Sequence, residues 1–310
     1  ALAQKPTFFS LWIGNNDVLG YATSGGDGSN PITSEALFTQ AYNGLIATLT
    51  SNGAKGVVAN IPNVTAIPFF TTVPYNPVPL DAASVTALNQ QVFGPLKQIL
   101  TAYGQGSRLN LVKATQNPVL LKDESLTNLS AEITTALVAA GVPAQQAGLM
   151  GIVYGQARHA TSADLLPLTT SSVIGTAPSS PYAVAPFNKY GVTFPLDDKH
   201  VLSSTEKDEV LAATATFNGV IKAAATAKGL AFVDANAKML ELAKTSGIQF
   251  DGVKYTATFV TGGTFSLDGV HLTGRGYALI ANEFIKAINT TYKSTLPMVN
   301  VNSYSGVKFP

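Results

Sequence analysis

The chain has 310 residues, of which 46% are hydrophobic and only 12% are charged, against about 25% charged residues in an ordinary soluble protein. Its 19 basic and 18 acidic residues nearly cancel, which argues against a protein that binds nucleic acid by neutralising phosphates. The apolar fraction is large enough for a folded core and excludes a disordered chain. The chain lacks cysteine, so disulfides and thiol nucleophiles are excluded, and no run reaches the roughly 18 apolar residues of a membrane span.

The first part of the chain predicts a strand, a helix and a second strand. Residues 7–13 form an almost wholly apolar run that ends at Gly14, which is typical of a strand buried on both faces. A helical stripe follows, with Thr33 or Ser34 as its start and Gly53 as its stop. A second buried strand is predicted over residues 56–60, so the order indicates a βαβ unit.

The middle of the chain is less regular. We predict a helix over residues 84–103, interrupted near Gly94-Pro95, and a short strand over 109–112. One amphipathic helix is evident, with apolar residues at Leu126, Leu129, Ile133 and Leu137. Long stretches rich in Thr, Ser and Pro follow it. We therefore interpret 118–200 as an insertion that covers an active site or forms a binding loop.

Regular patterns return in the last third of the chain. Residues 203–206 form a capping box that starts a helix, and residues 230–234 predict a third buried strand. A last long helix carries apolar residues between 277 and 288. The tail after Pro297 shows a weak alternation of apolar and polar residues, which is compatible with a strand that pairs at a sheet edge. Helices that alternate with apolar strands predict a doubly wound parallel α/β sheet, whose active site lies beyond the carboxyl ends of the strands.

Two polar segments stand where such a site is expected. Residues 14–17, Gly-Asn-Asn-Asp, follow the first strand, and residues 266–273 precede the last helix. In the second segment Asp268 precedes His271 by three residues, so its carboxylate can accept the Nδ1 proton of the imidazole and leave Nε2 as a base. The amide of Asn16, beside Gly14, can donate to a developing oxyanion. Together they supply most of an acyl-transfer site.

The sequence resembles the SGNH, or GDSL-type, hydrolases at these residues. Gly14-x-Asn16-Asp17 matches the G-x-N-D block of the family, and Asp268-x-x-His271 matches its D-x-x-H block, about 250 residues later. The resemblance implies a three-layer, flavodoxin-like α/β sandwich and a single domain over 1–310.

The same resemblance assigns roles. It makes His271 the general base and Asp268 its orienting partner, places the Asn16 amide in the oxyanion hole, and lets Gly14 shape the loop; Asp17 is expected to hold that loop. The implied function is a serine esterase or lipase that acts through an acyl-enzyme, with no metal or organic cofactor. The apolar, hydroxyl-rich stretch around 165–174 favours a lipid-like or acylated-carbohydrate ester. Similar family members are exported, which predicts a periplasmic or outer-membrane lipoprotein.

The sequence departs from the family pattern at the position of the nucleophilic serine. The family serine precedes the G-x-N-D block, but only 13 residues precede Gly14. Ser29 in Asp27-Gly28-Ser29 follows Gly14 and is interpreted as part of a turn, and Ser10 lies inside the predicted strand. We therefore expect the serine and the first strand of the sheet to lie upstream of Ala1. The 310-residue chain alone is then expected to be inactive and to leave a vacant sheet edge beside residues 8–13.

Other interpretations stay open. Asp268 and His271 could turn a loop and cap a helix, and Asn16 could form a simple Asx turn. A degenerate domain of this type could bind a glycan or lipid without catalysis, and a structural fragment could associate with a second chain. His159 and His200 have no partners at metal spacing and are interpreted as surface or packing residues.

Overall fold

The computed structural model describes residues 2–307. The chain forms two compact units: residues 1–72 with 207–310, called the sheet unit, and residues 73–206, called the middle unit. The strands are β1 (Phe8–Leu11), β2 (Lys55–Ala59), β3 (Leu120–Lys122), β4 (Ala157–His159), β5 (Ala231–Val233), β6 (Ile248–Phe250) and β7 (Val253–Tyr255). The helices are α1 (Asn16–Thr23), α2 (Glu35–Thr50), α3 (Pro68–Thr71), α4 (Ala82–Leu88), α5 (Gly94–Ala102), α6 (Ser130–Ala139), α7 (Ala144–Tyr154), α8 (Ser204–Ala227), α9 (Ala235–Ala243) and α10 (Gly274–Tyr292).

The sheet unit is built on a parallel sheet in the order β1-β2-β5. Alternate residues of a strand point to opposite faces, and both faces of the central strand β2 are buried: Val57 on one side and Val58 on the other are 1% and 0% exposed. One face packs against α10 through Ile280, Phe284 and Ile288. The predictions of strands over 56–60 and 230–234, and of the α/β class, are confirmed.

Strand β1 differs from its prediction. Among the described residues it pairs with β2 only, so it has a vacant edge, as expected. The prediction that both its faces are buried is wrong, because Phe8 is 40% exposed and Ser10 is exposed. The Phe8 ring contacts Tyr292 of α10, at 5.9 Å between ring centroids, but this contact leaves much of Phe8 exposed, so an apolar sequence does not guarantee burial at the edge of a sheet. Only Phe9 is buried, and its ring lies against Gly56.

Helix starts follow the predicted caps. The Ser34 side chain accepts the Leu37 N–H at the start of α2. At α8 the Ser203 N–H donates to the Glu206 carboxylate at 2.7 Å, and the Glu206 N–H donates back to the Ser203 hydroxyl at 3.4 Å, which is the predicted capping box. By length and composition alone α8 is a candidate membrane span; this is weak evidence, since core helices of globular proteins pass the same test.

The predicted interruption near Gly94-Pro95 is a π-helical turn over residues 89–93 that joins α4 to α5. Pro95 has no N–H to donate to the preceding turn, and the Gly94 N–H bonds to the Asn89 carbonyl, five residues back. The predicted strand over 109–112 is wrong. There the chain is held by side chains instead, since the Asn89 amide bonds to both backbone groups of Val112.

The middle unit is more regular than predicted for 118–200. It contains the predicted helix as α6, but also α7 and the antiparallel pair β3–β4, which the sequence pattern did not predict. The two helices pack closely because Gly151 has no side chain: a Cβ there would lie 2.1 Å from the Thr134 hydroxyl oxygen. The role of this region as a cover for an active site stays a prediction.

The tail is not a strand. Its prediction is wrong because the tail packs along α10 through side-chain bonds. The Asn282 amide bonds to both the carbonyl and the N–H of Val299, and Arg275 donates to the Tyr304 carbonyl. These bonds satisfy backbone groups that would otherwise need a sheet partner.

Candidate active site

The carboxyl ends of the three parallel strands meet, as the fold rule predicts. Asn60, directly after β2, accepts the indole N–H of Trp12 on its carbonyl at 3.2 Å. Its side-chain amide donates to Asp234, after β5, at 2.9 Å, and its Oδ1 accepts the Asn236 N–H. Asn60 therefore ties together the chain segments that leave all three strands.

The turn after β1 depends on Gly14. Its φ of +106° is one that residues with a side chain rarely adopt, and a Cβ there would lie 2.9 Å from Ile61 Cδ1. Asn15 is the N-cap of α1 and Asn16 is its first residue. Asp17 holds the turn as predicted, but through its backbone: its N–H donates to Gly14 at 3.1 Å, and its carbonyl accepts from Thr33 at 3.2 Å.

The loop before α10 brings Asp268 and His271 together. Asp268 Oδ2 lies 2.7 Å from His271 Nδ1, while Asp268 Oδ1 accepts the His271 N–H at 2.9 Å. Ser266 also donates to Asp268 Oδ1, at 2.6 Å. Gly269 fixes the loop against α3, since its carbonyl accepts the Phe69 N–H at 3.0 Å. The predicted orientation of the imidazole by the carboxylate is thus present in the geometry.

The environment keeps Asp268 ionised. Partial burial acts to raise the pKa of Asp268, but the hydrogen bonds from Ser266, Val270 and His271 outweigh it and hold the pKa well below its ordinary value. The ionised carboxylate favours the tautomer in which Nδ1 carries the proton, so Nε2 is free to accept one. The imidazole is accessible, since the His271 side chain is 72% exposed.

His271 and Asn16 line the same cavity, which has a volume of about 310 Å³ and lies within the sheet unit. Segments after all three parallel strands contribute to its wall: Asn16 after β1, Pro62 after β2 and Ala235 after β5. Residues almost 260 positions apart in the chain therefore lie around one space. Of the four predicted site residues, Asn16 and His271 line the cavity, while Asp268 contacts His271 and Gly14 lies in the turn before Asn16.

The turn after β1 carries nitrogen donors that bond to no other described residue. Among the bonds of residues 2–307, neither the backbone N–H of Asn15 nor that of Asn16 donates to another group, and the Asn16 side-chain amide is also unpaired. Three N–H groups on one strand-to-helix turn are the kind of donor set that stabilises a developing oxyanion.

No serine is among the described residues that line the cavity. Ser29 belongs to a turn, as predicted, because both its N–H and its hydroxyl donate to Asp27. Ser10 lies in β1, and Ser266 is engaged with Asp268. The structure thus shows a paired Asp268 and His271 beside a cavity, and no serine among the described residues that line it.

The other histidines lie in the middle unit. His159 packs against Phe93, and its Nδ1 accepts the Asn110 N–H at 2.9 Å. Burial, with a contribution from Lys97, lowers the pKa of His159 to about 4, so this imidazole stays neutral. Its interpretation as a packing residue is confirmed.

Sequence reasoning missed other residues of the cavity wall. Trp12 lines the cavity although its position in an apolar run predicts a core residue, and Asn15 lines it beside the predicted Asn16. Lys238 and Met239 on α9 also contribute. The rule that sites lie beyond strand ends pointed to the segment after Asp234, but it could not say which side chains there face the cavity.

Comparisons of the chain with protein-family models, curated proteins and solved structures found no match.

Proposed function

We propose that this chain carries the base and oxyanion site of a serine ester hydrolase that works through an acyl-enzyme. The observation that carries the proposal is the 2.7 Å contact between Asp268 and His271 on a cavity whose wall also includes Asn16. The resemblance to SGNH hydrolases remains a hypothesis. So do the features that it implies, which are the flavodoxin-like three-layer arrangement, the exported location and the ester substrate.

The chemistry proceeds in two steps. In the first, His271 Nε2 takes the proton of the serine hydroxyl as its oxygen attacks the ester carbonyl. The negative charge that develops on the carbonyl oxygen is met by the Asn16 amide and the free N–H groups of the turn. The imidazolium, stabilised by Asp268, then gives its proton to the departing alcohol.

The second step releases the acyl group. His271 takes a proton from a water molecule as it attacks the acyl-serine, the same donors hold the oxyanion, and the proton returns to the serine oxygen. The products are a carboxylic acid and the free serine hydroxyl. The mechanism uses no metal or organic cofactor.

Labelling and kinetics of the full-length gene product test this proposal. We expect a fluorophosphonate to label one serine of the protein, and His271→Ala and Asp268→Asn to lower kcat on a p-nitrophenyl ester by about 10²- to 10⁴-fold, the usual contribution of general base catalysis. His200→Ala, in the middle unit, is the matched control and should retain full activity. An unlabelled protein, or an unchanged kcat in His271→Ala, would contradict the proposal.

The second candidate function is that of a binding module without catalytic activity. It is favoured by the finding that the described lining of the cavity lacks a serine. This candidate predicts that the full-length protein binds an uncharged amphiphile, yet neither reacts with the fluorophosphonate nor hydrolyses an ester. The labelling experiment therefore separates the two candidates.

A further inference from the structure

The middle unit contains a cavity of its own, with a volume of about 480 Å³. All the residues that line it lie between positions 75 and 162, and most of them are polar. Six of the lining side chains take part in no hydrogen bond or ion pair with another described residue. They are Tyr75, Asn76, Asn110, Lys113, Gln116 and Ser162.

The amide groups among these side chains suit a ligand that is rich in hydroxyls. Asn110 and Gln116 are exposed and Asn76 is half-buried, so a molecule in the cavity can reach them. Each amide has two donor hydrogens and one acceptor oxygen. Three unpaired amides therefore offer donors and acceptors side by side, which is what the adjacent hydroxyls of a sugar require.

The backbone that carries these side chains is fixed by buried groups. Asn117 is buried, and its amide donates to three backbone carbonyls and accepts the Lys113 N–H at 2.8 Å. The Asn110 N–H donates to Nδ1 of the buried His159. The loop around Lys113 and Gln116 is therefore already ordered, and a ligand has to order only side chains.

Tyr75 and Lys113 narrow the class of ligand. Tyr75 packs against a buried apolar cluster of the middle unit but stays partly exposed, and the electron-rich face of an aromatic ring attracts the C–H groups of a sugar ring. Lys113 is exposed and is the one charged residue in the described lining. Since no carboxylate neutralises it there, a ligand that brings its own carboxylate is favoured.

We propose that the cavity of the middle unit binds an acidic oligosaccharide, a chain of sugars that includes uronic acids. One sugar ring packs on Tyr75, the hydroxyls bond to the unpaired amides, and a carboxylate of the ligand pairs with Lys113. This site goes beyond the proposed ester hydrolysis and does not depend on it, because neither His271 nor Asp268 belongs to it.

Two matched probes test the preference for an acidic ligand. Calorimetric titration of the 310-residue protein with trigalacturonic acid, and with its fully methyl-esterified form, gives a Kd for each. The two probes share their rings and hydroxyls, but only the acid is charged. We expect the acid to bind about fivefold more tightly, which is the upper end for one solvent-exposed ion pair.

Variants assign this preference to the cavity. Lys113→Gln should bring the ratio of the two Kd values close to one, whereas Lys189→Gln, an exposed lysine of the same unit outside the lining, should keep the wild-type ratio. Tyr75→Leu retains an apolar side chain against the cluster and should weaken both probes by about fivefold. Tyr103→Leu, at an exposed position outside the lining, should weaken neither.

A second measurement uses the wild type alone. In the ¹⁵N-labelled protein, trigalacturonic acid should shift the side-chain amide signals of Asn110 and Gln116 and leave that of Asn43, an exposed residue of α2, in place. No binding of either probe, equal affinity for both, a wild-type ratio in Lys113→Gln, or unshifted signals of Asn110 and Gln116 overturns the inference. His271→Ala should bind trigalacturonic acid as the wild type does, so failure of the proposed hydrolysis would not count against this site.

Discussion

Gly14 shows how one residue determines the position of the candidate oxyanion donors. Its positive φ turns the chain from β1 into α1, and its missing side chain leaves room for Ile61. We predict that Gly14→Ala lowers the free energy of unfolding of the sheet unit by about 1–3 kcal/mol, because the new Cβ adds both backbone strain and overlap. Urea unfolding followed by Trp12 fluorescence measures this change.

Gly44→Ala is the matched control for Gly14→Ala. Gly44 lies inside α2, and a Cβ there would meet nothing within 4 Å. The same substitution should stabilise the protein by up to about 1 kcal/mol, since alanine is the better helix former. Equal effects of the two substitutions would show that the turn geometry at Gly14 has no special role.

A second prediction for a single residue concerns the contribution of Asp164 to the stability of the middle unit. Its buried carboxylate binds Arg158 at two contacts of 2.7 Å and accepts the N–H groups of Thr161 and Ser204. We predict that Asp164→Asn costs about 1.5–3 kcal/mol, the size of a hydrogen bond to a charged group, because Arg158 keeps its second partner, Asp123, at 2.6 Å. Hydrogen exchange of peptides from residues 73–206 should show this loss of stability. The control Glu132→Gln, on α6, should change the stability of the unit by less than about 0.5 kcal/mol.

The pH dependence of that effect follows from the pKa of Asp164. Burial acts to raise this pKa, but the bonds from Arg158, Thr161 and Ser204 lower it below its ordinary value. A carboxyl with a lower pKa in the folded state stabilises the fold above about pH 4, and this stabilisation is lost as the pH falls. The difference between wild type and Asp164→Asn should therefore shrink in acid. A difference that grows there would contradict the assignment.

The candidate site was predictable from sequence to different extents. The Asp268–His271 contact is local, because the two residues are only three positions apart in one loop. That Asn16 and His271 line the same cavity depends on the order of the parallel strands. It could be predicted only from the general rule that active sites lie beyond the carboxyl ends of parallel strands. Asn15 was missed because the direction of a side chain at a helix cap cannot be deduced from its neighbour.

Elements with strong terminal signals were predicted well, and those without them were missed. The starts of α2 and α8 follow from Ser34 and from the Ser203 capping box. Helix α7 was missed because its sequence is rich in small residues, and its packing relies on a long-range contact at Gly151. The exposure of β1 was missed because an apolar run indicates a strand but does not show how far helices cover its two faces.

The capping box at the start of α8 gives a prediction for a single secondary-structure element. We expect Ser203→Ala to destabilise the start of α8 by about 1 kcal/mol, because the Glu206 N–H loses its acceptor. Hydrogen exchange at the first turn of α8 should quicken. Thr205→Ala, an exposed neighbour, is the control and should leave exchange unchanged; equal effects at both positions would argue against a specific cap.

At the level of the whole molecule, the unpaired edge of β1 is the feature that bears on association between copies of the chain. A parallel sheet is normally buried, and an exposed strand edge can pair with another strand. Here β1 carries an exposed apolar side chain, since Phe8 is 40% exposed, and Ile13, two residues after the strand, is 39% exposed. The sheet unit of the described residues therefore offers a surface on which a second copy of the chain can extend the sheet.

We predict that the 310-residue protein self-associates through β1. Its sedimentation coefficient should rise with concentration, and Ser10→Lys should restore a monomer, because a charge on an edge strand opposes pairing between copies. Ser10 is exposed, so the lysine can be accommodated without disturbing the core. Asn43→Lys adds the same charge on α2, away from the edge, and should still associate. If wild type sediments as a monomer at every concentration, or if both lysine variants dissociate equally, β1 is not the contact surface.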